Sequence, residues 1–340
     1  MAKLGEVCLL KAGKFVSAND ISPEYNKGLY PCFGGNGIRG YVADYTHDGE
    51  FPLIGRQGAL CGNVNLASGK FHATEHAVVV QPKIEMNVHW LYYAINAMNL
   101  GQYATGAAQP GLAVSKLETL SIEIPNISEQ NKIAQTLYKV EQLVNFRKQQ
   151  LAKLDELVKA QFVEMFGDIN VNNKKWMTYP LGELCTIVRG GSPRPIERYL
   201  GGTIPWIKIG DATTGENIYL NSTKEYIIQE GVKKSRMIKA GSLIFANCGV
   251  SLGFARIITF DGCIHDGWLA MEDIDEKLDK IFLLYSLNQM TEYFRKTAPA
   301  GTQPNLNTNI MKMHRQIVPP MEMQKAFISF VKCADRQKQI

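Results

Sequence analysis

The chain contains one series of short sequence patterns twice, in the same order. The distance between matching positions grows only from 177 residues (Leu4 to Leu181) to 194 residues (Gln109 to Gln303). A repeat this long exceeds the roughly 20–50-residue units of solenoid proteins and fits two copies of one whole domain. The matched segments are Leu4–Cys8 with Leu181–Cys185, Leu53–Gly62 with Leu243–Gly253, Leu91–Asn96 with Leu283–Asn288, Gln109–Leu112 with Gln303–Leu306, and Pro125–Gln130 with Pro319–Gln324.

The composition is that of a globular protein with room for two domains. The chain has 340 residues, and each half can enclose a hydrophobic core. No apolar run approaches the ~18 residues of a membrane span, and the N-terminus lacks the apolar core of a signal peptide. The seven cysteines are an odd number and include no C-x-x-C pair, which argues against disulfides and a zinc site. We therefore expect a cytoplasmic protein without a membrane partner.

The charge distribution gives only weak support for nucleic-acid binding. The formal net charge is +5, but the first 125 residues carry nine basic and ten acidic side chains. The basic excess lies mainly in residues 167–340, with 22 basic and 17 acidic side chains. Such an excess is compatible with phosphate contacts but does not establish them.

A long helical pattern joins the two copies. Asn126 and Glu129 can cap its start, and Gly167 marks its end. A helix from Ile127 to Phe166 has 40 residues and would be about 60 Å long at ~1.5 Å per residue. A helix of this length is too long to bury its apolar seam within one small domain. The seam therefore predicts a partner helix, and Arg147 interrupts it. The seam positions are Ile133, Leu137, Val140, Val144, Leu151, Leu154 and Val158.

The predicted partner helix follows Pro319-Pro320. Phe327, Val331 and Ala334 continue the helical spacing there, and we expect antiparallel pairing in a coiled coil. This second helix is about half as long as the first, which predicts a shortened helix and a seam partly left for another protein or for self-association. The alternative is that the long helix packs across its own domain.

The remaining pattern predicts short strands with turns, and short helices at about 88–100 and 278–296. The fold class is therefore α+β, with two tandem, similar α/β domains separated by a long helix. The predicted boundaries are 1–125 for the first domain, 126–167 for the central helix, 168–318 for the second domain and 319–340 for the start of the second long helix.

Motifs typical of enzymes do not fit their required context. Gly35–Gly40 matches G-x-G-x-x-G, but Pro31 lies in the candidate strand and Tyr41–Ala43 reads as a strand rather than a helix. The six histidines show no helical metal-binding pattern, and no nucleophile or phosphate-binding motif is present. The sequence thus predicts a chain with no catalytic residues, no metal site and no cofactor of its own.

Loops at matching positions carry side chains that can read base edges. Arg56, Gln57 and Asn63 lie in the first copy, while Asn247 and the run from Gln303 to Asn309 lie in the second. Arginine pairs with guanine, and asparagine or glutamine pairs with adenine. For any single asparagine, ordinary turn chemistry is the stronger interpretation. Recurrence in both copies favours a binding face.

The doubled order of these motifs resembles the specificity subunit of type I restriction–modification systems, over nearly the whole chain. A Gln-Pro-x-Leu loop, an apolar strand ending in Pro125 and a helix with Gln130 near its start recur with Pro319 and Gln324. Leu181–Glu183, which repeats the first opening, and Pro205–Asp211 also look like this family. The first repeat departs from the pattern in having Gly111 where the second has Asn305.

The resemblance implies a protein that recognises a DNA sequence and has no catalytic activity of its own. Each domain would read one half of a bipartite, asymmetric site in double-stranded DNA, and the helices would set the unread spacer. Two methyltransferase subunits and the restriction motor–nuclease subunits would be the partners, and AdoMet, ATP and Mg²⁺ would belong to them. A duplicated module for a glycan or peptide and a diverged methyltransferase are the alternatives.

The resemblance, carried over by position, assigns roles to particular residues. Off-seam Lys139, Lys148 and Lys159 would meet the methyltransferase. The candidates for base reading are Arg56, Gln57, Asn63, Gln109, Lys208, Asn247, Gln303, Asn305 and Asn307. The candidates for phosphate contacts are Lys14, Arg39, Arg189, Arg194 and Lys312.

Overall fold

Helices and short strands alternate along the chain, and one helix is much longer than the others. The computed structural model describes residues 1–106, 110–213, 218–249, 251–299 and 305–339. The chain divides into unit 1, Met1–Lys148, and unit 2, Gln149–Ile340. The predicted mixture of helix and strand, including the long central helix, is present. The helices are α1 Leu4–Val7, α2 Val88–Ala97, α3 Val114–Glu118, α4 Ile127–Phe166, α5 Leu181–Leu184, α6 Gln229–Val232, α7 Lys280–Gln289, α8 Thr291–Thr297, α9 Thr308–Met313 and α10 Met321–Gln339.

Ten strands form the sheets of unit 1. They are β1 Ala2–Lys3, β2 Cys8–Ala12, β3 Tyr30–Gly34, β4 Gly37–Val42, β5 His47–Asp48, β6 Phe51–Gly55, β7 Val64–Ala67, β8 Lys70–Ala73, β9 Ala77–Pro82 and β10 Ser121–Ile122. The first sheet has the order β2-β9-β6-β7 and is antiparallel. The second has the order β4-β3-β8-β5, in which β3 and β8 run parallel. A separate pair joins β1 to β10.

Eleven strands form the sheets of unit 2. They are β11 Thr178–Pro180, β12 Thr186–Arg189, β13 Leu200–Ile207, β14 Tyr219–Leu220, β15 Glu225–Ile227, β16 Arg236–Ile238, β17 Leu243–Ala246, β18 Ala255–Ile258, β19 Gly262–Ile264, β20 Trp268–Glu272 and β21 Arg315–Ile317. The first sheet has the order β12-β20-β17-β18-β14, and the second has the order β15-β13-β19-β16. The pair β11–β21 corresponds to β1–β10.

The two units repeat one hydrogen-bonding pattern. β13 and β19 run parallel like β3 and β8, and the neighbouring antiparallel pairs also correspond. After β2, the backbone N–H of Gly13 donates to Ala77, and after β12 the N–H of Gly190 donates to Trp268 in the same way. The doubled sequence series therefore encodes one domain fold twice.

Each first sheet is covered on both faces, which explains why its strands read as continuous apolar runs. In unit 1, Ile54 and Val78 face the core that includes Trp90 of α2. Leu53 and Val79 face the opposite way, into the core shared with the second sheet. Unit 2 has the same division between two cores.

The C-terminal half of α4 packs antiparallel against α10 within unit 2. Phe162 and Phe166 stack edge-on against Phe327, with ring centroids 5.3 and 5.7 Å apart. Farther along α10, Lys338 pairs with Asp155 at 2.7 Å. Residue numbers therefore rise along α10 as they fall along α4, and Val158 at this end of the seam is buried.

The N-terminal half of the seam is exposed. Ile133 and Leu137 are each 39% exposed, and Val140 and Val144 are 50% and 47% exposed. This half of α4 instead packs on unit 1 through a neighbouring stripe that includes buried Ala134. Leu151 and Leu154 are half-buried. α4 has 40 residues, and α10 comprises 19 described residues.

A buried glutamine fixes each long helix to its own domain. Gln130 Oε1 accepts a hydrogen bond from the N–H of Asn87, and its amide donates to the carbonyl of Pro125. In unit 2, Gln324 Oε1 accepts from the N–H of Asp279 at 2.9 Å. Both glutamines therefore bind the start of a domain helix, α2 or α7. This contact accounts for the early glutamine that recurs in the sequence.

The replacement Gln324→Leu is expected to lower the free energy of unfolding by about 3 kcal/mol. The Gln324 amide also donates to the carbonyls of Lys277 and Pro319, and each buried group left unsatisfied costs about 1–3 kcal/mol. Denaturant unfolding followed by circular dichroism measures the change. The control is Gln135→Leu, at an exposed glutamine on α4. Equal effects of the two replacements would show that the hydrogen bonds of Gln324 do not stabilise the unit.

Candidate nucleic-acid interface

In each unit, the loop after the central strand of the first sheet contacts the leucine that ends the Gln-Pro-x-Leu motif. The carbonyl of Arg56, just after β6, accepts a hydrogen bond from the N–H of Leu112 at 2.9 Å. The carbonyl of Asn247, just after β17, accepts from the N–H of Leu306 at 2.7 Å. Arg56 and Asn247 therefore occupy equivalent backbone positions. The leucine that recurs in both copies, Leu112 or Leu306, binds this loop in each unit.

The candidates for base reading in unit 1 differ in accessibility. Gln57 is exposed and pairs through its backbone with Gly111. Asn63 is also exposed, and its amide donates to Asn36 Oδ1 at 2.7 Å. Arg56 is half-buried, with its Nε shielded from solvent. Of these three residues, Gln57 is therefore the most accessible for a hydrogen bond to a base edge. Gln109 lies outside the residues that the structure describes.

The asparagines of unit 2 stabilise the corresponding loop. Asn247 is fully buried, and its amide donates to Asn305 Oδ1 at 3.2 Å. The backbone of Asn305 pairs with Cys248. The side chain of Asn247 cannot reach a base edge from this position, so we assign it a supporting role. Gln303 lies outside the described residues.

Two other candidates are already engaged in local contacts. Asn307 is exposed, but its Oδ1 accepts from the N–H of Ile310 and caps α9. Lys208 forms an ion pair with Glu225, and its ammonium lies 5.6 Å from the ring centroid of Trp206. These contacts give both residues local structural roles in the free protein.

Basic side chains converge on one surface turn in unit 2. The Nε of Arg189 donates to the carbonyl of Asp266 at 2.9 Å, and Arg194 lies 3.5 Å from the Asp266 carboxylate. Arg236 donates from its Nε to the carbonyl of Arg189 at 3.0 Å. The hydroxyl of Ser192 donates to the Asp266 carboxylate at 2.8 Å. The three arginines are exposed. We call Arg189, Arg194 and Arg236 the arginine cluster.

Neighbouring groups shift the pKa values of Asp266 and His265 at this turn. Burial acts to raise the pKa of Asp266, but the hydrogen bond from Ser192 and the charges of His265, Arg189 and Arg194 lower it overall. Burial lowers the pKa of His265, and Lys208, Arg194 and Arg189 lower it further, against the opposing effect of Asp266. At neutral pH the Asp266 carboxylate is therefore charged and pairs with Arg194, while the His265 imidazole is mainly neutral.

Sequence reasoning missed Arg236, His265 and Asp266 as members of this surface. β16 begins at Arg236 and pairs with β19, which brings it beside the end of β12. The Lys233-Lys234-Ser235-Arg236 charge run was the available signal, but it does not by itself show which distant residue lies beside it.

Unit 1 carries lysines at the equivalent place. Lys14 is exposed, and its carbonyl accepts a hydrogen bond from His72 Nε2 at 3.2 Å. Burial lowers the pKa of nearby His47, and His72, Lys11 and Lys14 lower it further. Exposed basic side chains therefore lie at or just after the ends of equivalent strands, β2 and β12, in both units.

The other two candidates for phosphate contacts lie elsewhere. Arg39 is exposed on β4. Lys312 lies on α9 against Gly182 of α5, in a shallow depression that also contains Asp273 and Asp275. Because of these acidic neighbours, Lys312 is a weaker candidate for a phosphate contact than the arginine cluster.

The described residues offer no cluster of histidine, cysteine or carboxylate side chains suited to a metal ion. All seven cysteines are free thiols, and Cys333 is the exposed one. None of the described helices combines the length and the apolar composition that a membrane span requires.

Comparison with known proteins gives one family. The model of the type I restriction modification DNA specificity domain matches residues 1–156 and again residues 173–340. The specificity subunit of the type I restriction enzyme EcoprrI from Escherichia coli is 52% identical over 143 residues, which cover 42% of this chain and 36% of that protein. The match thus spans about a third of that relative.

Longer matches are more distant in sequence. A putative type I restriction enzyme specificity subunit from Haemophilus influenzae is 26% identical over 324 residues, covering 89% of this chain and 80% of that protein. Among solved structures, the type I restriction–modification S subunit from M. genitalium has a TM-score of 0.61 at 18% identity. That match covers 99% of this chain and 89% of the other, and it supports the fold.

Proposed function

Because this chain belongs to the family of type I restriction modification DNA specificity domains, we propose that it reads DNA sequence for a type I restriction–modification complex. Unit 1 and unit 2 would each read one half of a bipartite, asymmetric site in double-stranded DNA. The observation that carries this proposal is the recurrence of exposed basic groups near the ends of the equivalent strands β2 and β12 of the repeated fold. These are Lys14 in unit 1 and the arginine cluster in unit 2.

Phosphate contacts would orient each unit, and neighbouring loop residues would read bases. Basic side chains supply affinity without sequence information, whereas contacts at base edges supply specificity. Gln57 and Asn63 remain the candidates for base edges in unit 1 because they are exposed. In unit 2, Asn307 is the exposed candidate for a base edge, and Asn305 beside it is half-buried.

The 40-residue helix α4 would set the length of the unread spacer between the two half-sites. A helix holds a distance better than a flexible linker does. Methyltransferase and restriction subunits would be the partners, with Lys139, Lys148 and Lys159 of α4 among the contacts, all exposed. AdoMet, ATP and Mg²⁺ would be bound by those partners, and the complex would act in the cytoplasm.

A salt titration of duplex binding tests the proposal. Fluorescence anisotropy would measure the Kd for duplex DNA over a range of salt, with the chain alone and with the methyltransferase subunit of the same system. A phosphate-dominated interface requires the logarithm of the binding constant to fall by about 0.9 per contacted phosphate for each tenfold rise in salt. Absent or salt-independent binding in both forms would contradict DNA binding and favour a glycan or peptide ligand.

A further inference from the structure

Unit 1 contains a groove that the proposed DNA contacts do not use. Its volume is about 390 Å³, and it lies between the β3–β4 hairpin, β7, α2 and α4. Three tyrosines supply much of its lining, together with a histidine, an exposed isoleucine and a carboxylate. These lining residues are Tyr92, Tyr93, Tyr138, His89, Ile38 and Glu141.

The charge of this groove is negative. The hydroxyl of Tyr93 donates to Glu141 Oε2 at 2.7 Å. Burial raises the pKa of Tyr93, and the Glu141 carboxylate raises it further, so the phenol stays a neutral donor to a charged acceptor. His89 lies 3.2 Å from Glu50. Among the described lining residues there is no lysine or arginine. A phosphate backbone would therefore be repelled.

Aromatic faces beside a carboxylate fit a cation. The rings of Tyr92 and Tyr93 lie 5.0 Å apart, centroid to centroid, and Tyr138 is 48% exposed. A guanidinium group stacks on aromatic rings and donates to carboxylates, and it loses less hydration than an ammonium group does. One oxygen of Glu141 receives the Tyr93 hydroxyl, and its second oxygen is available to a planar donor.

We propose that this groove binds an arginine side chain presented by a partner subunit of the restriction–modification complex. The proposal rests on the proposed function for the identity of the partner. Charge complementarity selects a basic side chain, and the adjoining apolar residues Leu137 and Val140 on α4 are 39% and 50% exposed. A partner segment with one arginine beside apolar side chains would cover both features.

The first test uses Nα-acetyl-L-arginine amide as the probe, without DNA or a partner. Tyrosine ring signals of the full chain would be followed by NMR during titration, and the neutral isostere Nα-acetyl-L-citrulline amide would be titrated in parallel. We expect saturable shifts of the groove tyrosines with the arginine probe and about tenfold weaker binding for Glu141→Gln. The control Glu156→Gln, at an exposed carboxylate on the same helix, should bind as the unmodified chain does. Equal responses to both probes, or no effect of Glu141→Gln, would overturn the proposal.

The second test measures assembly. The charge reversal Glu141→Arg should strongly reduce capture of the methyltransferase subunit while leaving the Kd for duplex DNA unchanged. If the reversal instead alters the oligomeric state of the chain alone, measured by light scattering, the groove contacts a second copy and the assignment to a partner subunit is wrong. Failure of the unmodified chain to bind DNA would contradict the proposed function but would leave the arginine titration interpretable.

Discussion

Replacing Arg189, Arg194 and Arg236 together with glutamine is expected to weaken binding to duplex DNA about 100-fold. The three side chains are exposed and converge on the turn at Asp266, which would place three positive charges against the phosphate backbone. If each contact contributes about 1 kcal/mol, the loss of all three is about 3 kcal/mol, or about 100-fold in Kd. The dependence on salt should also become shallower, by about one unit of slope per lost contact.

A matched control separates this effect from a general loss of charge. Lys296, Lys325 and Lys332 are exposed in the same unit but lie on α8 and α10, so their replacement by glutamine removes the same charge from other elements. Equal losses of affinity in the two triple variants would mean that net charge alone governs binding. An unchanged Kd in the cluster variant would place the DNA-binding surface of unit 2 elsewhere. Circular dichroism would check that both variants are folded.

The elements with periodic or repeated signals could be predicted from the sequence. The long helix was predictable because its apolar spacing and its capping residues indicate the same segment, and a long helix, α4, is present there. The repeated fold was predictable because the motifs recur in order. The double covering of the first sheets follows from uniformly apolar strands such as Ala77–Val80.

The interface was harder to predict because tertiary contacts decide which polar side chains are accessible. Asn247 has the chemistry of a base reader but is buried and bound to Asn305. Arg236 lies 47 residues from Arg189 along the chain, and the two come together because β16 pairs with β19 and the segment after β12 bonds to β19 through Gly191. Glycine and asparagine enrichment in loops predicts a candidate region but does not show which of its side chains are exposed.

Removing Gln142–Lys148 from α4 is expected to shorten the spacer of the recognised site and leave both half-sites unchanged. Seven residues are nearly two helical turns, so the deletion rotates the following residues by only about 20° while shortening the helix by about 10.5 Å. At ~3.4 Å per base pair, the spacer should lose about three base pairs. None of the seven residues is buried, so no hydrophobic core of either unit loses a buried side chain.

Selection of bound duplexes from a random pool, with the methyltransferase subunit present, tests the central claim most directly. The unmodified chain should enrich two separate conserved blocks with a fixed unread stretch between them, and the α4 deletion should shorten only that stretch. A single contiguous block, or altered blocks with an unaltered spacing in the deletion variant, would contradict two reading units whose separation is set by the central helix.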